Sequence, residues 1–311
     1  MSIVKTEFSF LSSNGTNTIG GIKIYNSEVT PKATFVISHG MVEHYERYID
    51  FMTYLANMGF VTYCHDHLGH KHSVQTTDDL GYMSAEYGYT YVLKDLLHTR
   101  ETAKSEYPDL KLFLFGHSMG SFYARVFISK FPGKADGAII SGTGYSNSAA
   151  GLGLGLNKVL TRLKGDRYRS PMFKNLVLGS FNKKIKNPKT ENDWLTRDES
   201  VVEKYNADEF CTFNFTLSGY KDLLTVNGLS NEKETFENTP DMPIFIFSGS
   251  MDPVGDYGTG VYKVFEAYKS TGHNNVRIKL YDGGRHEMLN EINRCEVYND
   301  IYNWCKKVLE A

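Results

Sequence analysis

The chain has 311 residues, of which 41% are hydrophobic and 23% are charged, and its formal net charge at pH 7 is −2. That composition is typical of a globular protein with a sizeable core, and the small net charge argues against nucleic acid as a partner. The sequence has no transmembrane-length apolar run, no signal-peptide core and no paired cysteine spacing, so we expect a cytoplasmic protein and leave its oligomeric state open.

Predicted strands and helices alternate through the first 142 residues. Two antiparallel strands joined by a turn come first, and buried strands separated by helices follow. The predicted strands are 3–10, 20–26, 33–38, 60–64, 110–115 and 137–142, and the predicted helices are 48–58, 90–105 and 121–128. Such alternation indicates the α/β class, with a mostly parallel sheet and helices on both faces.

Residues 145–238 interrupt this pattern. Their first part, 151–156, alternates Gly with Leu, and we expect a flexible apolar stretch there. Alternation then resumes with strands at 243–247 and 276–281 and helices at 259–270 and 294–309. We interpret 1–144 and 239–311 as one core, and 145–238 as a cap inserted at the strand ends where sites of such folds lie.

A Gly-x-Ser-x-Gly motif lies between the predicted strand 110–115 and the predicted helix 121–128. In that position the motif is typical of the nucleophile elbow of an α/β-hydrolase. The turn is too tight for side chains two residues before or after the serine, and its strain exposes the hydroxyl. The motif consists of Gly116, His117, Ser118, Met119 and Gly120.

A serine nucleophile needs a histidine to take its proton and a carboxylate to orient that histidine. Asp252 follows the predicted strand 243–247, and His286 follows the predicted strand 276–281. Their order along the chain, Ser then Asp then His, is that of α/β-hydrolases. Asp256 is the nearest rival acid, but it lies farther from the end of the strand.

Backbone N–H groups are expected to hold the oxyanion that forms when the serine attacks. One is the amide of Met119, which directly follows the nucleophile at the start of a helix. The second is the amide of Met41, in the loop that begins with His39 and Gly40, because Gly40 lets the backbone turn close to the substrate.

With these residues assembled, the chain resembles the monoacylglycerol lipase and lysophospholipase family of α/β-hydrolases, also called the serine aminopeptidase S33 group. The resemblance rests on four segments, at 39–48, 116–121, 252–260 and 285–291. It implies an eight-stranded core with a mainly helical cap inserted after the sixth strand. It also implies that Glu43, Arg47 and Glu287 are buried polar partners near the site, since unpaired buried charges are costly.

Four histidines fall within residues 65–72, a pattern that by itself suggests a metal site. The related family carries a D-H-x-G-H-G-x-S loop at this place, and the residues beginning with Asp66 match most of it. We therefore expect Asp66 and its neighbours to form structural hydrogen bonds beside the site, and we expect neither a metal nor a cofactor.

The expected activity is that of a serine hydrolase acting on acyl esters, with monoacylglycerols or lysophospholipids as substrates. A small-ester or aryl-ester carboxylesterase is the main alternative, and a ligand sensor without enzymatic activity is a remoter one. The 151–156 stretch, with basic residues at Lys158, Arg162 and Lys164, predicts contact with a lipid surface, unless it is an ordinary lid helix. Aminopeptidase activity stays open because of four acidic residues, Glu199, Glu203, Asp208 and Glu209.

Overall fold

A computed structural model describes residues 2–145 and 148–311. Its eight strands form one sheet and are numbered in chain order: β1 Ile3–Leu11, β2 Thr18–Asn26, β3 Ala33–Ser38, β4 Phe60–His65, β5 Lys111–His117, β6 Gly137–Ser141, β7 Ile244–Gly249 and β8 Val276–Tyr281. The α-helices of the described residues are α1 Ile49–Asn57, α2 Gly88–Glu106, α3 Met119–Lys130, α4 Ser148–Lys164, α5 Pro171–Leu178, α6 Glu199–Ala207, α7 Leu217–Ser230, α8 Lys233–Asn238, α9 Thr259–Ser270 and α10 Arg294–Glu310.

The strand order across the sheet is β1-β2-β4-β3-β5-β6-β7-β8. β2 pairs antiparallel with β1 and β4, and every other neighbouring pair is parallel. The prediction of a mostly parallel eight-stranded sheet with helices on both faces is confirmed. Parallel strands all end at one edge, so the loops after β3, β5, β7 and β8 converge there.

Each face of the sheet is covered by helices. In β5, Phe113 and Leu114 point to opposite faces and enter different hydrophobic clusters. Leu114 belongs to the cluster that includes residues of α2, α3 and α9. Phe113 belongs to the cluster that includes residues of α1 and α10, and its ring centroid lies 5.8 Å from that of Trp304 on α10. Burial on both faces explains why β3 and β7 are continuous apolar runs. No helix of the described residues has the length and apolar character needed to cross a membrane.

Between β6 and β7 the described residues form helices α4 to α8 and no strand. The prediction that 151–156 is flexible is wrong, because this stretch lies inside α4. One of its three glycines has a packing reason: a Cβ on Gly153 would meet the side chain of Leu224 on α7 at 2.8 Å. Glycine thus lets α4 approach α7 closely, and tertiary contact overrides its weak helix propensity.

We expect two glycine-to-alanine variants to affect stability in opposite directions. A Cβ on Gly120 would collide with the backbone carbonyls of Ser38 and His39, so Gly120→Ala should lower the free energy of unfolding by about 2–4 kcal/mol. Gly155 lies in α4 with open space around it, and Gly155→Ala should raise stability by about 0.5–1 kcal/mol. Urea denaturation of both variants measures this. Equal effects would contradict the assignment of Gly120 to a close backbone contact.

Candidate active site

The motif serine lies at the junction of β5 and α3. β5 ends at His117, α3 begins at Met119, and Ser118 between them has φ 52° and ψ −120°. That left-handed conformation is strained for a residue with a side chain. A Cβ on Gly116 would collide with the backbone of Gly120 and with Ala124. The strained turn is therefore held by α3 lying directly against β5.

Asp252 and His286, which the sequence assigned to one site, are in direct contact. The Nδ1 atom of His286 lies 2.9 Å from Oδ1 of Asp252. Asp252 also accepts hydrogen bonds from the Ser248 hydroxyl at 2.6 Å and the Val254 amide at 2.9 Å. These bonds fix the carboxylate, which in turn fixes the imidazole ring. The rival Asp256 is exposed and has a positive φ of 48°, as in a turn.

Burial and charge act against each other on this pair. Burial lowers the pKa of His286, but the charge and hydrogen bond of Asp252 outweigh burial, so the pKa lies above its ordinary value. Burial raises the pKa of Asp252, yet the charge of His286 and three hydrogen bonds hold it below the usual range. The pair is therefore built to carry a protonated imidazole beside an ionised carboxylate.

Ser118 and His286 line the same cavity. Both are described residues, and no hydrogen bond joins the serine hydroxyl to the imidazole in this structure. Catalytic hydrogen bonds of this kind often tighten only when substrate binds.

The two expected oxyanion donors, the amides of Met41 and Met119, belong to residues that also line this cavity. No described residue accepts a hydrogen bond from the Met41 amide. Met119 is the first residue of α3, where N–H groups have no partner within the helix. The neighbouring Gly40 amide donates instead to Oε1 of Glu43 at 2.5 Å. A Cβ on Gly40 would crowd Glu43 and Ser118, which explains why glycine stands there.

Arg47 links two buried carboxylates. It forms two hydrogen bonds of 2.6 Å with Glu287, the residue after His286, and one of 2.9 Å with Glu43. Burial raises the pKa of Glu287, but the charge and hydrogen bonds of Arg47, with smaller contributions from His117 and Asn290, together outweigh burial and lower that pKa to about 2. Tyr48 donates to Glu43 at 2.8 Å. The network thus joins the loop after β3 to the loop after β8.

Asp66 and the neighbouring histidines form hydrogen bonds with backbone amides and side chains of the protein. Asp66 accepts from the Tyr45 amide at 2.7 Å and from the His72 amide at 3.0 Å, and lies 2.7 Å from the His72 ring. Burial raises the pKa of Asp66, but the His72 hydrogen bond and other groups hold it below its ordinary value. His65 and His67 bond to the hydroxyls of Thr99 and Ser38, each at 2.9 Å.

One group of described residues brings metal-ligating atoms together, with the atoms within 4.8 Å of one another. It consists of His44, Asp208 and Cys211. No local sequence pattern marks this group, because the last two residues follow the first by more than 160 positions. In this structure His44 Nε2 lies 2.9 Å from a carboxylate oxygen of Asp208.

The cavity has a volume of about 710 Å³. Apart from the loops that carry the motif residues, its wall is mostly apolar and comes largely from the segment between β6 and β7. This wall includes Leu156, Phe173, Val177, Phe181, Trp194 and Leu223. No motif in the sequence pointed to these residues, since nothing in their local pattern separates cavity walls from ordinary core.

Comparisons relate the chain to known proteins. The family described as serine aminopeptidase, S33, matches residues 29–293. Monoglyceride lipase of Homo sapiens is 27% identical over 286 residues, which are 88% of this chain and 81% of that protein. Monoacylglycerol lipase of Mycolicibacterium smegmatis is 24% identical over 311 residues, 98% of each chain. The crystal structure of a thermostable carboxyl esterase from Bacillus coagulans in complex with glycerol matches with a TM-score of 0.92 and 29% identity, over 98% of this chain and 99% of that one.

Four buried histidines near the site predict a loss of stability in acid. Burial lowers the pKa of His39 to about 4 and that of His65 and His70 to about 3, and holds that of His67 well below its usual value. Below about pH 6.5 the unfolded chain therefore binds more protons than the folded one. Asp222, whose pKa burial raises to about 7, acts in the opposite direction, as do His72 and His286, whose pKa values lie above the ordinary value. These are three groups against five, because burial also lowers the pKa of His117 to about 4.

We expect the free energy of unfolding to fall by roughly 4 kcal/mol between pH 7 and pH 5. Urea titrations followed by circular dichroism at pH 7, 6 and 5 measure this. An unchanged midpoint across these pH values would mean that the four histidines are not buried in neutral form.

Proposed function

Because the chain belongs to the serine aminopeptidase S33 family of α/β-hydrolases, we propose that it cleaves acyl esters through Ser118, His286 and Asp252. The chain is a carboxylic ester hydrolase. The proposed roles assign Ser118 as nucleophile, His286 as general base and Asp252 as the carboxylate that orients it. The observation that carries this proposal is that His286 lines the same cavity as Ser118 and contacts the buried Asp252 behind it.

The proposed reaction runs in two halves. Ser118 Oγ attacks the ester carbonyl carbon while His286 takes its proton, and the Met41 and Met119 amides bind the oxyanion. The tetrahedral intermediate then collapses, the carbon–oxygen bond to the alcohol breaks, and the imidazolium protonates the leaving alcohol. Water activated by His286 attacks the acyl-enzyme and releases the fatty acid, which regenerates Ser118.

We propose monoacylglycerols or lysophospholipids as the substrate class. The large apolar wall of the cavity suits an acyl chain, since pockets of about 300–1,000 Å³ take ligands of that general size. Polar side chains on the same wall, Lys174, Glu191 and Asn192, would suit the polar alcohol part of the substrate. Two relatives named as monoacylglycerol lipases support this class.

Two alternatives from the sequence carry different weight. A small-ester carboxylesterase is favoured by the likeness to a carboxyl esterase of Bacillus coagulans. Aminopeptidase activity is not favoured, because none of the four acidic residues considered for it, all of them described, lines the cavity. Of these, Asp208 pairs with His44, and Glu199 pairs with Lys189 on the surface.

We further propose that residues 145–238 act as a cap that contacts a lipid surface. Leu152, Val159 and Leu163 are 80%, 54% and 73% exposed, and their spacing places them on one side of α4. Met172 and Leu176 on α5 are also more than half exposed. An exposed apolar surface of this kind typically marks contact with a membrane or another protein.

A series of p-nitrophenyl esters from acetate to palmitate tests the substrate class. We expect kcat/KM to be highest for medium or long acyl chains and to fall at least about 10⁴-fold in Ser118→Ala. A maximum at acetate or butyrate would favour the carboxylesterase alternative. Activity that survives in Ser118→Ala would contradict the proposed nucleophile.

Sedimentation with phosphatidylcholine and phosphatidylglycerol vesicles tests the lipid surface. A double variant in which both Val159 and Leu163 are replaced by Glu should show a vesicle-bound fraction that is lower by roughly tenfold or more. Its turnover of a water-soluble ester should stay unchanged. The matched control is Leu11→Glu, at a 64% exposed leucine of β1 outside α4. Equal loss in the control, or no loss in the double variant, would contradict the proposal.

A further inference from the structure

The imidazole of His286 contacts two other rings besides its carboxylate partner. The Trp194 ring centroid lies 4.9 Å away with a 39° interplanar angle, and the His117 centroid lies 4.6 Å away. No ring contact joins Trp194 to His117, both of which are described, so the two rings meet different parts of the imidazole. Phe181 packs edge-on against Trp194, with 4.7 Å between the ring centroids.

The backbone around Trp194 is bonded to the loop that carries the histidine. The amide of His286 donates to the Trp194 carbonyl at 3.3 Å, and the amide of Glu287 donates to the Leu195 carbonyl at 2.7 Å. The Arg285 guanidinium donates to the carbonyls of Asp193 and Thr196 at 2.5 and 2.9 Å. Residues 193–196 belong to the segment between β6 and β7, yet these hydrogen bonds fix them against the loop after β8.

We propose that Trp194 is a positioning residue for His286. The indole ring of Trp194 holds the imidazole of His286 in place and stabilises its protonated form. This inference rests on the proposed role of His286 as general base. An indole ring attracts a cation near its face, and the attraction is stronger where water is excluded. Trp194 is only 9% exposed in the cavity wall, so water is largely excluded where it meets the imidazolium that forms during each half-reaction.

The other charged and titratable groups near His286 are Asp252, Glu287, Glu43 and His117. The three carboxylates favour the imidazolium. Burial, together with the charge of His286, lowers the pKa of His117 to about 4, so His117 is neutral at working pH and adds no positive charge. Of the two rings in contact with His286, Trp194 is therefore the one proposed to favour the imidazolium, and it lies in the segment between β6 and β7.

The test compares Trp194→Leu, which keeps an apolar cover but no aromatic face, with Trp194→Phe, which keeps a smaller face. With p-nitrophenyl acetate, whose short acyl chain makes little use of the apolar wall, we expect Trp194→Leu to lower kcat roughly tenfold with less than about a twofold change in KM. Its acid limb of kcat/KM should move down by about half a pH unit, because the imidazolium loses its stabilisation. Trp194→Phe should recover most of both effects.

Trp304→Leu is the matched control, since it removes the chain's other tryptophan from the core beneath the sheet. It should lower stability and leave the acid limb unchanged. Three results for Trp194→Leu would overturn the proposal. They are an unchanged kcat with an unchanged acid limb, an acid limb that moves to higher pH, and a change in KM alone. Loss of activity in His286→Ala establishes the base independently, so a failure of that role is distinguishable from a failure of the role of Trp194.

Discussion

One buried ion pair joins the two loops on which the geometry of the site depends. Arg47 bonds to Glu287, the neighbour of His286, and to Glu43, which accepts the Gly40 amide beside Met41. One guanidinium therefore ties the loop of the proposed base directly to the loop of the proposed oxyanion donor. Breaking such a buried pair typically costs about 3–5 kcal/mol, because the charge left behind has no compensation. The network consequently favours a single arrangement of the two loops.

The strand order of the sheet places the three proposed catalytic residues next to one another. β5, β6, β7 and β8 are consecutive neighbours, so their ends bring Ser118, Asp252 and His286 to one edge. β6 lies between the strand of the nucleophile and the strand of the acid, and the residue after it is Gly142. A Cβ there would lie 2.9 Å from the His286 ring and 3.0 Å from the His117 ring. Glycine at this position leaves the space in which the two imidazoles meet.

The core and the motif residues could be predicted from the sequence, because each depends on a local signal. Strand ends, glycines around Ser118 and chain order are all readable without tertiary information. Trp194 could not be predicted, since its contact with His286 joins residues 92 positions apart and no periodicity marks it. The helicity of 151–156 was missed for a similar reason: the closeness of Gly153 to Leu224 is a tertiary contact.

The most direct test of the central claim, that His286 activates Ser118, is covalent labelling with an alkyl fluorophosphonate. Peptide mapping by mass spectrometry locates the adduct, and the labelling rate is compared between the wild-type enzyme and His286→Ala. We predict one adduct per chain on Ser118 and a rate that falls at least about 10²-fold in the variant. An adduct on another residue, or labelling of His286→Ala at the wild-type rate, would contradict this account.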